Sequence, residues 1–207
     1  GPPAAVSRSH ALAGCMTILP TRRIDDFGGS VVAEAGGDAY YRGALDLSGP
    51  IGNGGGFALR VASKDDGEPI TDTTFSGTSV SGRLSFADNG RWDMRLFGNY
   101  SDSEGTAFPE DSGGSELAVL RDVDSRSAED LTFGLVGGIA LGENWHLNIL
   151  ATTYDHDSRY FSPGVAPGER DGVPPNGGDA NLTRANFALN AVVDINDNVA
   201  ATIGVDY

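Results

Sequence analysis

Apolar residues recur at every second position along most of the chain. In segment 92–100 (WDMRLFGNY), one phase holds Trp92, Met94, Leu96 and Tyr100, and the other phase is largely charged or polar. A period of two residues is typical of a β-strand, whose successive side chains point to opposite faces. Nine segments show this period, and only 117–123 is a helical candidate, a short one. The nine segments are 27–35, 41–48, 57–64, 78–86, 92–100, 131–141, 145–152, 186–194 and 199–207.

The connections between these segments alternate in length. Turns built from Gly, Asn and Asp at 87–90, 142–144 and 195–198, and a slightly longer turn at 49–56, lie at one end of the predicted strands. Longer loops near 64–75, 101–128 and 155–183 lie at the other end, where 36–39 is a short exception. Short turns on one side, long loops on the other and strands of about ten residues are typical of an up-and-down transmembrane β-barrel.

Aromatic residues lie near both ends of the predicted strands, in the apolar phase. Those beside the short turns are Phe57, Phe86, Trp92 and Trp145, and those at the long-loop end are Tyr41 and Tyr100. Aromatic side chains are favoured at membrane–water boundaries, so the pattern predicts two girdles. A soluble antiparallel sandwich with the same residues on its inner face is the alternative, because antiparallel sheets alternate in both solvents.

Charge excludes some partners and leaves others open. The chain has 29 acidic and 14 basic residues, a net charge of −15, and no basic stripe, so we predict no nucleic-acid partner. Most of the acidic residues fall in or beside the predicted long loops, where they could bind divalent cations or simply be solvated. EF-hand spacing is absent, and one cysteine gives neither a disulfide framework nor zinc spacing. We therefore predict no metal site and no cofactor.

Catalytic motifs are absent from the sequence. Neither a G-x-S-x-G elbow, an H-E-x-x-H helix nor a phosphate-binding G-x-x-x-x-G-K-[ST] loop occurs, and the three histidines fall on separate elements. We therefore predict that the protein is not an enzyme.

The polar phase of the predicted strands carries charges that would point into a barrel. They are Arg42, Asp46, Arg60, Arg83, Asp93 and Arg95, with Glu34 beside them. They could contact a plug domain or guide an anionic substrate. They could equally be solvated or paired lumen residues, because charges in such positions need partners.

Motifs near the start of the chain resemble a known family. The segments GPPAAVSRSHALAG and CMTILPTRR are similar to the end of the plug domain of TonB-dependent outer-membrane receptors. The segment IDDFGGSVVAEAG, followed by YRGALDLSGPIGN, is similar to that family's first barrel hairpin and first periplasmic turn. These motifs cover about the first 60 residues, and the strand rhythm extends the resemblance to the whole chain. The matching positions are Gly1, Pro2, Ala11, Gly14, Thr21 and Arg22 for the plug, and Gly49, Pro50 and Gly52 for the turn.

The resemblance implies a fold, a function and partners. Residues 1–23 would be the C-terminal end of the plug, and 24–207 the N-terminal part of a 22-stranded transmembrane barrel, an all-β, antiparallel up-and-down meander of about nine strands. The parent protein would lie in the outer membrane of a Gram-negative bacterium, in contact with lipid. It would take up a scarce, bulky nutrient such as a siderophore–iron complex, a cobalamin or an oligosaccharide. A periplasmic TonB-type coupling protein would supply energy through a plug segment that this chain lacks.

Substrate contacts are predicted near the open end of the barrel. Long polar and aromatic side chains there make Arg126, Tyr154, His156 and Tyr160 the candidates. Two other functions remain as alternatives: a passive porin-like barrel, and a soluble, secreted β-sandwich binding module.

Overall fold

The computed structural model describes residues 26–88, 90–109, 112–119, 122–167, 172–196 and 199–207. The predicted plug segment 1–23 lies outside these residues. Over the described ranges, nine strands and a single helical turn, α1 (Gly114–Leu117), form the fold. The strands are β1 (Gly28–Ala35), β2 (Tyr41–Ile51), β3 (Gly55–Asp65), β4 (Thr74–Asp88), β5 (Trp92–Ala107), β6 (Asp124–Ala140), β7 (Trp145–Ser162), β8 (Asn176–Asn196) and β9 (Val199–Asp206).

All nine strands belong to one sheet, and each pairs antiparallel with its neighbours in the chain. Within the described residues, β1 pairs only with β2, and β9 only with β8, so the sheet is open at both edges. The predicted all-β, up-and-down meander of nine strands is confirmed. Its open form is consistent with part of a barrel.

The strand register gathers the apolar phase of every strand on one face. Cross-strand partners point to the same side of a sheet, so their identities define the two faces. One row across the sheet runs Val31, Leu45, Val61, Val80, Tyr100 and Leu131. Another row, through β7, β8 and β9, joins Ile149, Leu189 and Val205. We call this side the apolar face and the opposite side the polar face.

The short turns lie at one end, as predicted. The turn between β2 and β3 has positive φ at Gly52 (57°) and Gly54 (94°), and the turn between β4 and β5 has positive φ at Gly90 (79°). Glycine adopts this region without the Cβ clash that other residues meet. Pro50 lies in β2 beyond the last residue paired with β1, Ser48, so its missing N–H removes no hydrogen bond to that strand.

The strands are longer at the other end than the sequence pattern predicts. β7 has 18 residues and β8 has 21, and the three long connections shrink to 66–73, 108–123 and 163–175. The prediction that the acidic residues lie mainly in loops is therefore wrong for many of them. Asp102 and Glu104 lie in β5, Glu129 and Asp130 in β6, and Asp155 and Asp157 in β7.

The helical turn lies before the segment 117–123 that the sequence pattern predicts as helical, and overlaps it only at Leu117. The helical turn α1 ends at Leu117, whose side chain is 77% exposed.

Burial within the sheet is slight. Among the described residues, the buried apolar side chains besides prolines are only Ala44 and Ala118, and no large side chain is fully buried. Leu96 and Phe133 on the apolar face remain 40% and 53% exposed. A sandwich needs a second sheet over this face, and the described strands form none.

Candidate functional site

All ten predicted site residues lie on the polar face. The four substrate candidates are neighbours there: Arg126 lies in β6, and Tyr154, His156 and Tyr160 lie in β7. All four lie in strands, and whether they lie near the open end of a barrel stays a prediction. Arg126 is the direct cross-strand partner of Tyr160.

Tyr154 and His156 share one carboxylate. Tyr154 Oη donates a hydrogen bond of 2.5 Å to Asp130 Oδ1, and His156 Nδ1 lies 2.8 Å from the same oxygen. A carboxylate can only accept, so Nδ1 carries a proton in this contact. The two rings stack with centroids 6.2 Å apart and planes 17° apart. The carboxylate therefore holds both rings in a fixed orientation.

These hydrogen bonds change the acidity of Asp130. The bond from Tyr154, followed by that from His156, holds the pKa of Asp130 below its ordinary value, because both favour the ionised carboxylate. The Asp130 and His156 side chains are 31% and 27% exposed. The cluster is thus charged at neutral pH and open to solvent.

A second pair lies closer to the long loops. The guanidinium carbon of Arg126 lies 5.0 Å from the centroid of the Tyr160 ring, a cation–π contact. Both residues line a groove of about 900 Å³, together with Phe75, Phe108 and Ser158. His156 and Tyr160 are four positions apart in β7, a distance of about 13 Å along the strand. The predicted residues therefore form two pairs on one face and not a single cluster.

Most of the predicted lumen charges are paired with one another. Arg42 lies 3.5 Å from Glu34, Arg60 lies 2.8 Å from Asp46, and Arg95 lies 3.5 Å from Asp93. Ser30 also donates to Asp46. Exposed pairs of this kind contribute about 0–1 kcal/mol each, so their main effect is to neutralise the polar face.

Arg83 differs from the other lumen arginines. It faces Ala58 and Phe97 across the neighbouring strands, and its buried Nε has no hydrogen-bond partner among the described residues. Of the predicted lumen residues, Arg83 is thus the one whose buried hydrogen-bond donor lacks a partner within the described residues.

Asp130 is the residue that the sequence pattern missed. The sequence pattern places Asp130 beside the predicted loop 101–128, and the structure places it opposite His156 in the ladder between β6 and β7. Only the register could reveal this, since 26 residues separate the two in sequence.

The described residues contain no group of three or more His, Cys, Asp or Glu side chains placed to hold a metal ion. Over the same part of the chain, no helix has the length and apolar character needed to span a membrane.

Comparisons with known proteins leave the family open. No family model matches the chain, and no curated protein matches it.

Proposed function

We propose that this chain is part of the barrel of a TonB-dependent outer-membrane receptor, with its apolar face against lipid. The observation that carries the proposal is the continuous apolar face of all nine strands, over which no second layer lies in the described part of the chain. Burial of apolar area stabilises a fold by about 25 cal/mol per Å². A sheet that leaves this face uncovered needs another apolar medium, and lipid hydrocarbon provides it.

The dimensions of the apolar face support this proposal. Trp92 and Tyr100 mark its two boundaries on β5, and eight residues span about 27 Å along a strand. A strand tilt of about 40° reduces this to about 21 Å of depth, near the roughly 25 Å apolar band of outer-membrane barrels. Trp92 is 40% exposed and Trp145 is 50% exposed, as expected for side chains at a lipid–water boundary.

The direction of the edge strands supports a larger barrel. In a meander of nine antiparallel strands, β1 and β9 run the same way, so they cannot close antiparallel with each other. A second copy of the chain, inserted in the same orientation, has edge strands that run in the same direction as those of the first. Two copies therefore cannot pair antiparallel at these edges either. An all-antiparallel barrel therefore needs an odd number of additional strands, and the 22 strands of the proposed family meet this requirement. Lipid cannot satisfy the N–H and C=O groups of open edges.

The polar face then lines the lumen. The Asp130–Tyr154–His156 cluster and the Arg126–Tyr160 pair offer stacking surfaces and hydrogen-bond groups to a bulky small molecule or metal chelate. The paired charges near β1–β5 neutralise the wall of the lumen. In this proposal the coupling protein acts through the plug and not through these strands.

Uptake measurements test the proposed function. A strain lacking the gene that carries this sequence is compared with the complemented strain, using a labelled siderophore–iron complex, a cobalamin and an oligosaccharide as separate probes. We expect the complemented strain to accumulate one probe, and a protonophore to abolish that accumulation. Accumulation that survives the protonophore would instead indicate a passive porin-like barrel. No gene-dependent accumulation of any probe would contradict an uptake receptor of these substrate classes.

A further inference from the structure

The apolar face has an open hollow at mid-height. Gly82 of β4 lies at its floor, and Gly98 of β5, the cross-strand partner of Gly82, lies beneath the Phe133 ring. A Cβ added to Gly82 would meet no atom within 4 Å, so the space above this residue is open. The hollow has a volume of about 990 Å³ and is lined almost entirely by apolar atoms.

The hollow lies within the proposed lipid-facing band. Leu84 and Leu96 border it toward the short turns, and Tyr100 borders it toward the long loops. Leu96 and Tyr100 are four residues apart, about 13 Å along the strand. Such a hollow can hold hydrocarbon chains in a defined position.

A row of carboxylates lies directly beyond the hollow on the same face. Glu129 of β6 is the cross-strand partner of both Asp102 of β5 and Asp157 of β7. The row is two residues past Tyr100, on the side of the long loops. None of the three carboxylates forms an ion pair within the described residues; Asp157 accepts only an amide hydrogen bond from Asn181.

Other charged groups near this row do not neutralise it. Glu104 of β5 adds a further negative charge on the same face, and Arg159 of β7 lies 3.8 Å from Asp179 of β8. The hollow itself is therefore apolar, and the surface next to it on the side of the long loops is anionic.

We infer that this hollow binds the hydrocarbon chain of an amphiphile whose headgroup carries an amine, with the ammonium against the Asp102–Glu129–Asp157 row. The inference rests on the proposed function, since it requires the apolar face to meet lipid. Charge complementarity selects the headgroup: an ammonium is attracted by the row of three carboxylates, whereas an anionic headgroup is repelled. The hollow selects the position, because Gly98 in the hollow and Asp102 in the row are four residues, about 13 Å, apart along β5.

Lipid selectivity tests the inference. The complete receptor that contains these strands is refolded into phosphatidylcholine vesicles containing a small fraction of pyrene-labelled phosphatidylethanolamine or phosphatidylglycerol, with a chelator present to prevent cation bridging. Energy transfer from the tryptophans to pyrene reports which lipid is enriched around the protein. We expect enrichment of the amine lipid over the anionic lipid by roughly fivefold, the size of effect that one charge has at a membrane surface.

Three variants separate the hollow from the carboxylate row. Gly82→Leu fills the hollow and should remove most of the enrichment, whereas Gly43→Leu should keep it. Gly43 is the matched control because it lies on the same face, outside the hollow, with open space above it. Glu129→Lys should shift the preference toward the anionic lipid.

Each alternative outcome is informative. Equal enrichment of both lipids, unchanged by Glu129→Lys, overturns the inference and indicates that any apolar partner fits the hollow. Flotation of the complete receptor with the vesicles and its β-sheet circular dichroism are measured in the same samples. A complete receptor that does not insert contradicts the proposed function, and the inference fails with it; one that inserts without lipid preference contradicts the inference alone.

Discussion

Reciprocal glycine–phenylalanine pairs join β5 to β6. Phe97 faces Gly134 on the polar face, and Phe133 faces Gly98 on the apolar face. The Phe133 ring lies 3.0 Å from where a Cβ on Gly98 would be, and the Phe97 ring occupies the corresponding space over Gly134. An aromatic ring over a glycine shields its backbone and restores packing in a strand. The central hairpin therefore depends on glycine at both positions.

Replacing Gly134 tests this packing. Gly134→Val should displace the Phe97 ring and destabilise the sheet by about 1–3 kcal/mol, the range found when extra methyl groups are forced into a packed protein interior. Gly178→Val is the control, because Gly178 lies on the polar face of β8 with no atom within 4 Å of an added Cβ. Urea unfolding in detergent micelles measures both variants. Equal destabilisation by the two variants would show that valine itself, not the clash with Phe97, is responsible.

The lowered pKa of Asp130 predicts that the free energy of unfolding depends on pH. The folded state lowers its pKa, so its contribution to the free energy of unfolding is present above the ordinary value of 3.8 and is lost as the pH falls through the lower, folded-state pKa. Asp130→Asn should therefore destabilise the chain between about pH 7 and pH 5, and the difference should shrink toward about pH 3. Urea midpoints at these pH values provide the measurement. Tyr154→Phe, which removes one of the two hydrogen bonds, should give a smaller effect; a pH-independent difference would contradict the assignment.

At the level of the strand, the hydrogen-bonded pairing of neighbouring strands extends well past the band of apolar residues. Main-chain hydrogen bonds do not depend on side-chain polarity, so pairing continues through the acidic segments of β5–β8. It stops near prolines: Pro109 follows β5, Pro163 follows β7, and Pro174 and Pro175 precede β8. Proline lacks the N–H that a ladder requires.

The extended ladders place like charges side by side. Carboxylates that lie directly opposite each other on neighbouring strands repel, so the Asp102–Glu129–Asp157 row should lower the free energy of unfolding. Glu129→Gln should raise the free energy of unfolding by about 0.2–1 kcal/mol, and about 1 M salt should reduce this gain by screening. Glu104→Gln is the control, because Glu104 faces Ser76 and Ser127. An equal gain from both variants in urea unfolding would attribute the effect to net charge and not to register.

For the whole molecule, the decisive property is an uncovered apolar face on a single sheet. If that face meets lipid, the two sides of one strand should respond oppositely to a new charge. Leu96→Arg should oppose insertion into bilayers by about 2–4 kcal/mol, whereas Asn99→Arg, on the polar face, should be near neutral. The fraction of the complete receptor that floats with vesicles after refolding measures this. A protein that stays monomeric in plain buffer, with Leu96→Arg harmless, would contradict a lipid-facing sheet.

The sequence alone determined the strand number, the all-β class and the division of side chains between two faces. These properties are local: a period of two assigns each residue a face, and Gly, Asn and Asp mark the short turns. Strands such as Trp92–Ala107 were therefore recognisable where they are apolar, although their polar extensions were not.

Only the tertiary structure decided which residues meet. Asp130 contacts His156, and Glu129 lies between Asp102 and Asp157, because the register joins positions far apart in sequence. A shift of one residue would move every side chain of a strand to the other face, and the sequence pattern does not specify how far a polar ladder continues. Faces follow from local periodicity, whereas partners follow from the pairing of whole strands.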